Sequence, residues 1–187
     1  MANRNTAGFG LIPAGTLGST PATSGQGKYK IDAGSTTTIY HGSAVASNAG
    51  YIIDGQTTDA PILGVLNGIF YNDATTLKPT FANFYKQPIT PANSEDIDAF
   101  VFDNPQQQYV VATDDSVAQS GFLETYDMNT SSGSDTTGKS NATLDIGDTS
   151  ADAASFRLLR SAEDPENDEN AAFRSVVVVP NLIELQS

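Results

Sequence analysis

Short runs of apolar and β-branched residues recur from Lys28 to the last positions of the chain, each stopped within a few residues by Gly, Pro, Asn, Asp or Ser. Few helices fit between such stops, and a spacing of roughly 8–15 residues is the rhythm of a sandwich or barrel. The runs are KYKID (28–32), TTTIYHGSAVAS (36–47), GYIID (50–54), ILGVLNGIFY (62–71), TFANFYKQPI (80–89), DAFVFD (98–103), QYVVAT (108–113), ATLDIGD (142–148), SFRLLRS (155–161) and AFRSVVVVPNLIEL (172–185). Composition points the same way. Only 17% of residues are charged, against about 25% in an average domain. Polarity comes instead from Thr, Ser, Asn, Gln and Asp, which suit strands and turns and are poor in helix interiors. The pattern predicts an all-β fold, an antiparallel sandwich or barrel of jelly-roll-like or β-tulip-like form.

Individual runs say more. In ATLDIGD, Ala142, Leu144 and Ile146 alternate with Thr143 and Asp145, the sign of a half-buried strand. ILGVLNGIFY is apolar on both faces, so it is central in a sandwich or shared between subunits, and Ile69 and Tyr71 become subunit-interface candidates. The closing run is too apolar to stand in water, which adds Val177, Val179 and Leu182 to that set; Pro180 splits it or places it at an edge. Phe70, Tyr71, Phe81, Phe84, Tyr85, Phe100 and Phe102 sit at strand spacing among aliphatics and read as core. NTSSGSDTTGKSN (129–141) reads as a long, mobile polar loop, and EDPENDENAA (163–172) as a solvated one.

The beginning differs. AGFGLIPAGTLGSTPATSGQGKYKI (7–31) holds glycine, proline and small polar residues with no strand or helix period before Lys28. Such a segment cannot bury enough surface to offset the entropy of ordering it, but a partner can order it as an extended arm or an added strand. The chain divides on this reading into an arm over 1–27 and a β-body over 28–187.

The search for chemistry comes back empty. His41 is the one histidine; Ser43 shares its strand face, but a catalytic relay needs a nucleophile, a base and an orienting acid converging from separate positions. There is no cysteine, so disulfides, thiol catalysis and cysteine metal sites are excluded. Carboxylates cluster at Glu95, Asp96 and Asp98, at Asp114 and Asp115, at Asp145, Asp148 and Asp152, and over Glu163–Glu169, none with the spacing of a calcium loop. Asp96 and Asp98 would be the pair to test in a glycosidase, but the tryptophan that commonly stacks on sugars is missing from the whole chain. GFGLIPAG neither follows a strand nor enters a helix, so it is no phosphate loop. No cofactor and no enzymatic activity are expected. A formal charge of −13 repels phosphate backbones, which argues against direct nucleic-acid binding and for an electropositive partner. No run reaches the ~20 apolar residues of a membrane span, and MANRNTAGFG lacks the hydrophobic stretch of a secretion signal, so the expected product is soluble and made in the cytoplasm.

The opening MANRNTAGFGLIPAG resembles the start of small tailed-bacteriophage head decoration, or capsid cement, proteins, through Phe9, Gly10, Leu11, Ile12 and Pro13. GQGKYKI, the YHGSAV strand, APILGVLNGIFY and the closing strand region follow in the family's order, with a departure at HGSA where the family often carries Asp and Pro. The resemblance implies an all-β body on the exterior of an icosahedral virion, bound to the major capsid protein. It implies self-association too, with a homotrimer favoured and a homodimer the second option. Phe9, Leu11, Ile12, Pro13 and Leu17 are then the capsid-interface candidates. The alternative is a head-fibre or tail-associated β-module that contacts host surface glycans through loops such as 129–141. A β-sandwich hydrolase is the weakest reading.

Overall fold

The computed structural model describes residues 3, 5–18, 25–55, 61–129, 133–147 and 155–186. Thirteen strands follow one another: β1 (Ile12–Thr16), β2 (Gly27–Ile31), β3 (Ala44–Asn48), β4 (Tyr51–Asp54), β5 (Gly64–Asn72), β6 (Pro79–Ala82), β7 (Ile97–Phe102), β8 (Gln107–Ala112), β9 (Thr125–Tyr126), β10 (Met128–Asn129), β11 (Thr143–Leu144), β12 (Phe156–Ser161) and β13 (Ser175–Pro180). Helical structure among the described residues is limited to single 3-10 turns at Ala92–Ser94, Gln119–Gly121 and Glu184–Gln186. The fold is all-β and its strand pairings are antiparallel.

One sheet runs β2-β7-β5-β3-β4, with β6 taking over along β5 beyond the end of β3. Its outermost strands, β2 and β4, lie against each other, so the sheet curls into a small barrel. Period two then decides what fills it. Ile31, Val45, Ile52, Leu66, Ile69, Ile97, Ala99 and Val101 come from five different strands and share one interior, plugged by Ile39, Leu63 and Tyr85. The alternate positions point outward.

The second sheet runs β1-β8-β13-β12-β9. Tyr109, Val111, Val176, Val178, Phe156 and Leu158 line one face of it and pack with Ala44, Val65 and Phe102 from the outer wall of the barrel. The short β10–β11 pair closes the side of this second core through Met128 and Leu144. An edge-to-face contact between Tyr109 and Phe156, with ring centroids 6.5 Å apart, ties β8 to β12. The molecule is therefore a barrel whose flank serves as the floor of a sandwich.

Three expectations are corrected. The described part of residues 1–27 is not an arm apart from a self-sufficient body. Leu11 is 1% exposed in the second core, Ile12–Thr16 pairs with β8, and the Asn3 amide donates to the carbonyls of Asp168, Ala171 and Ala172. Gly10 permits this: its φ of +74° suits glycine, and a Cβ there would come within 2.9 Å of the Gly42 carbonyl, beside which Leu11 N–H donates to the same oxygen at 2.9 Å. Second, the polar segment 133–141 folds back on itself through a Gly133–Ser140 bridge and docks on the stacked rings of Tyr40 and Phe84. Lys86 Nζ and, after it, the Tyr40 hydroxyl reach Asp135 and hold its carboxyl below the usual range. Residues 130–132 of that segment lie outside the described ones. Third, the aromatics are not all core, because Phe81 is 64% exposed while Tyr85 is fully buried.

Candidate functional site

Among the described residues, Glu95, Asp96 and Asp98 border one cleft with Lys30, and neither His41 nor Ser43 joins them there. His41 is held by its backbone, its N–H donating to Gly138 and its carbonyl accepting from Ser140, while the Ser43 Oγ is buried without a hydrogen-bond partner. Asp98 is committed to two lysines, Lys28 at 2.7 Å and Lys30 at 2.7 Å. Burial works against its charge, but those two hydrogen bonds prevail and hold the carboxyl below its ordinary value. Asp96 accepts from the Tyr51 hydroxyl at 3.1 Å. Burial, together with the Asp103 carboxylate at 2.7 Å, pushes the Tyr29 hydroxyl up to about 12. The buried Arg174 lies over the Phe122 ring, donates to Val117 and Ser161, and meets Glu169 at 3.3 Å, which anchors the loop before β13. Among the described residues no three acidic or histidine side chains are grouped to hold a metal, and no helix is long and apolar enough to cross a membrane. Asp148 and Asp152 lie outside the described residues.

The ten interface candidates separate by burial. Leu11 and Ile69 are core residues, one in each core, and a partner cannot reach them in the folded chain. Val177 and Val179 face away from the second core but are buried all the same. Phe9, Pro13, Tyr71 and Leu182 are half-buried. Ile12 and Leu17 are 46% and 41% exposed. These two stand on or next to β1, the edge strand of its sheet, where the register sets Ile12 beside Val110 and Val110 beside Val177. The first segment thus divides its work: Leu11 inserts, while Ile12 and Leu17 display.

A second apolar surface escaped the sequence reading. On the outer wall of the barrel, Lys30 of β2, Asp98 of β7, Phe70 of β5 and Phe81 of β6 stand side by side in register. The next row holds Lys28, Phe100 and Gly68. Gly68 offers no side chain, and the Phe81 ring leans over the gap to meet Phe100 at 5.9 Å between centroids. A Cβ on Gly68 would come within 3.0 Å of that ring, so the glycine is what lets it lie there. At the tip of the β5–β6 hairpin Leu77 is 72% exposed and has a φ of +54°, a left-handed conformation that costs a leucine roughly 1–2 kcal/mol. A cleft of about 260 Å³ opens beside Phe70, bordered by Lys30, Tyr71, Pro91, Glu95, Asp96 and Asp98. The signals were the glycine inside an aromatic strand and a leucine among Asp, Thr and Lys. Strand period alone cannot tell an outward aromatic from an inward one.

Comparison of the chain with protein-family models, with curated proteins and with solved structures returned no match.

Proposed function

We propose that the chain is a structural virion protein, a decoration or cement protein that binds the outside of an icosahedral phage head and bridges major capsid subunits. The observation that carries this is the state of the first segment. The motif on which the resemblance rests, Phe9–Pro13, leads into an edge strand held by β8, with Ile12 and Leu17 turned to solvent. A contact displayed from a paired strand is ordered before the partner arrives, so little conformational entropy is lost on docking. Modest affinity per copy suffices on a lattice, where geometry supplies effective concentration. The work asked of such a protein is buried area and no chemistry. The acidic surface suits a position outside the shell, away from packaged DNA.

Cosedimentation with heads of the phage whose genome encodes the chain, before and after shell expansion, tests the reading. Saturable binding at a fixed ratio to the major capsid protein is expected, with loss of binding in the Ile12→Asp, Leu17→Asp double variant. Absence of wild-type binding to either form of the head overturns it.

A further inference from the structure

The strand that displays Ile12 and Leu17 is entered through a slot between two stretches of backbone. Gly10 N–H donates to the Ala142 carbonyl at 3.2 Å on one wall, and Leu11 N–H to the Gly42 carbonyl at 2.9 Å on the other. The slot admits no side chain at these crossings. A Cβ on Gly8 would overlap the Asn141 carbonyl, and one on Gly10 would stand 2.9 Å from both the Gly42 carbonyl oxygen and the Ser140 Cβ. β1 itself is weakly tied at this end, because Pro13 has no N–H to give and the register with β8 shifts between Pro13 and Gly15.

The two walls are anchored to different cores. Gly42 N–H donates to the Leu66 carbonyl of the barrel at 2.9 Å, while Ala142 is buried in the second core. Segment 133–141 joins them. His41 N–H donates to the Gly138 carbonyl and Ser140 N–H to the His41 carbonyl, each at 2.9 Å, and the buried Ser140 Oγ accepts from Ala142 N–H at 3.1 Å. No side chain of 133–141 enters either hydrophobic core. What seats the segment lies at the surface. Gly133 and Gly138 lie against the Tyr40 and Phe84 rings, and the Asn83 amide donates to the Thr137 carbonyl at 3.0 Å. Asp135 takes Lys86 Nζ at 2.9 Å and the Tyr40 hydroxyl at 2.8 Å.

We propose that segment 133–141 is a clasp that fixes the width of the slot and so positions β1 for its partner, with Asp135 as a positioning residue. The inference rests on the capsid reading for what β1 meets, but the clasp acts within one copy. Loosening at Asp135 reaches Ile12 through Tyr40, His41, Gly42 and Ser140, a contiguous hydrogen-bonded path. It raises the conformational entropy that docking must remove.

Hydrogen exchange of the full-length chain, without heads, reads the coupling. Asp135→Ala is expected to speed exchange of the Gly10 and Leu11 amides about three-fold, the scale of one exposed ion pair. The Leu63 amide, bonded to the Val45 carbonyl at 2.7 Å inside the barrel, is expected to keep its rate. Asp135→Asn retains an acceptor for Tyr40 and should recover part of the protection. Gly138→Val, whose side chain would overlap the Phe84 ring, should unseat the clasp and give the larger effect; the two Asp135 variants decide the matter even where this one does not fold. Cosedimentation of Asp135→Ala with heads should show binding weakened by a similar factor. Unchanged exchange at Gly10 and Leu11 in Asp135→Ala overturns the proposal. Equal acceleration at Leu63 overturns it too, since the carboxylate would then be a general stabiliser. Faster exchange with undiminished head binding breaks the link between clasp and display. Heads that take up no wild-type protein overturn the capsid reading, and the exchange rates then decide on the clasp by themselves.

Discussion

The outer wall of the barrel is apolar at both ends, and the two ends have different fates. At one end Ala44, Val65 and Phe102 are sealed under Tyr109, Val111, Val176 and Val178 of the second sheet. At the other, Phe70, Phe81 and Phe100 stand in equally regular rows, and among the described residues no second sheet lies above them. The same strands, β5 and β7, build both. The contrast teaches that alternation fixes which residues leave the barrel, whereas the reach of a distant sheet fixes which of those become core. Apolar side chains on an outer wall are core only as far as something covers them.

The largest effect expected from this contrast is at the sealed end. Val65→Asp would bury a carboxylate between barrel and sheet with no partner, at a cost of about 4 kcal/mol or more. Phe81→Ala at the open end should stay within about 1 kcal/mol, since most of that ring is already in water. Urea unfolding of dilute protein compares them. Similar losses for the two would mean that the open end is core after all.

Leu11→Ala comes next. Deleting a fully buried leucine from the second core should cost about 2–4 kcal/mol, the behaviour of a body residue and not of a detachable arm. A neutral result would restore the first segment as an accessory to the fold. Its integration was hidden in the sequence for a physical reason. Pro13, Ala14 and Gly15 break any strand period, with a register shift between Pro13 and Gly15, and the pairing partner β8 lies almost a hundred residues away. The all-β class was legible because turn residues punctuate the chain locally, and β7, β8 and β12 fall within a residue of where alternation puts them. By contrast, segment 133–141 is ordered by Tyr40 and Phe84, which no local pattern announces. Exposure of the candidates was legible only in part: Ile12 and Leu17 are displayed, Leu11 and Ile69 are buried, and the hairpin surface depends on which outer-wall rows the second sheet fails to cover.

Asp98 lies where the open face begins and should give a smaller, pH-dependent effect. Its carboxyl titrates lower in the folded chain than unfolded, because Lys28 and Lys30 favour the charged form over the opposing effect of burial. That stabilisation is complete above the unfolded carboxylate value of about 3.9 and is lost as pH falls through the lower folded value. Asp98→Asn should therefore cost about 1 kcal/mol near neutrality, a typical figure for a partly screened pair. The deficit relative to wild type should shrink on acidification below about pH 4. Thermal melts of both proteins across that range check it; a deficit independent of pH would mean that the aspartate acts through packing alone.

The smallest effect has the opposite sign. Leu77 sits at φ +54° on the hairpin tip, a backbone region that Leu123 also occupies at φ +70° and Asn93 at φ +58°. Leu77→Asn relieves the left-handed penalty and gives up little buried area, because 72% of the leucine is already exposed. A gain of about 0.5–1 kcal/mol in the isolated monomer is expected, read as a higher urea midpoint at unchanged slope. A loss of monomer stability would instead place Leu77 among the side chains that hold the hairpin to its own barrel, and the open end would then be smaller than its exposed residues suggest.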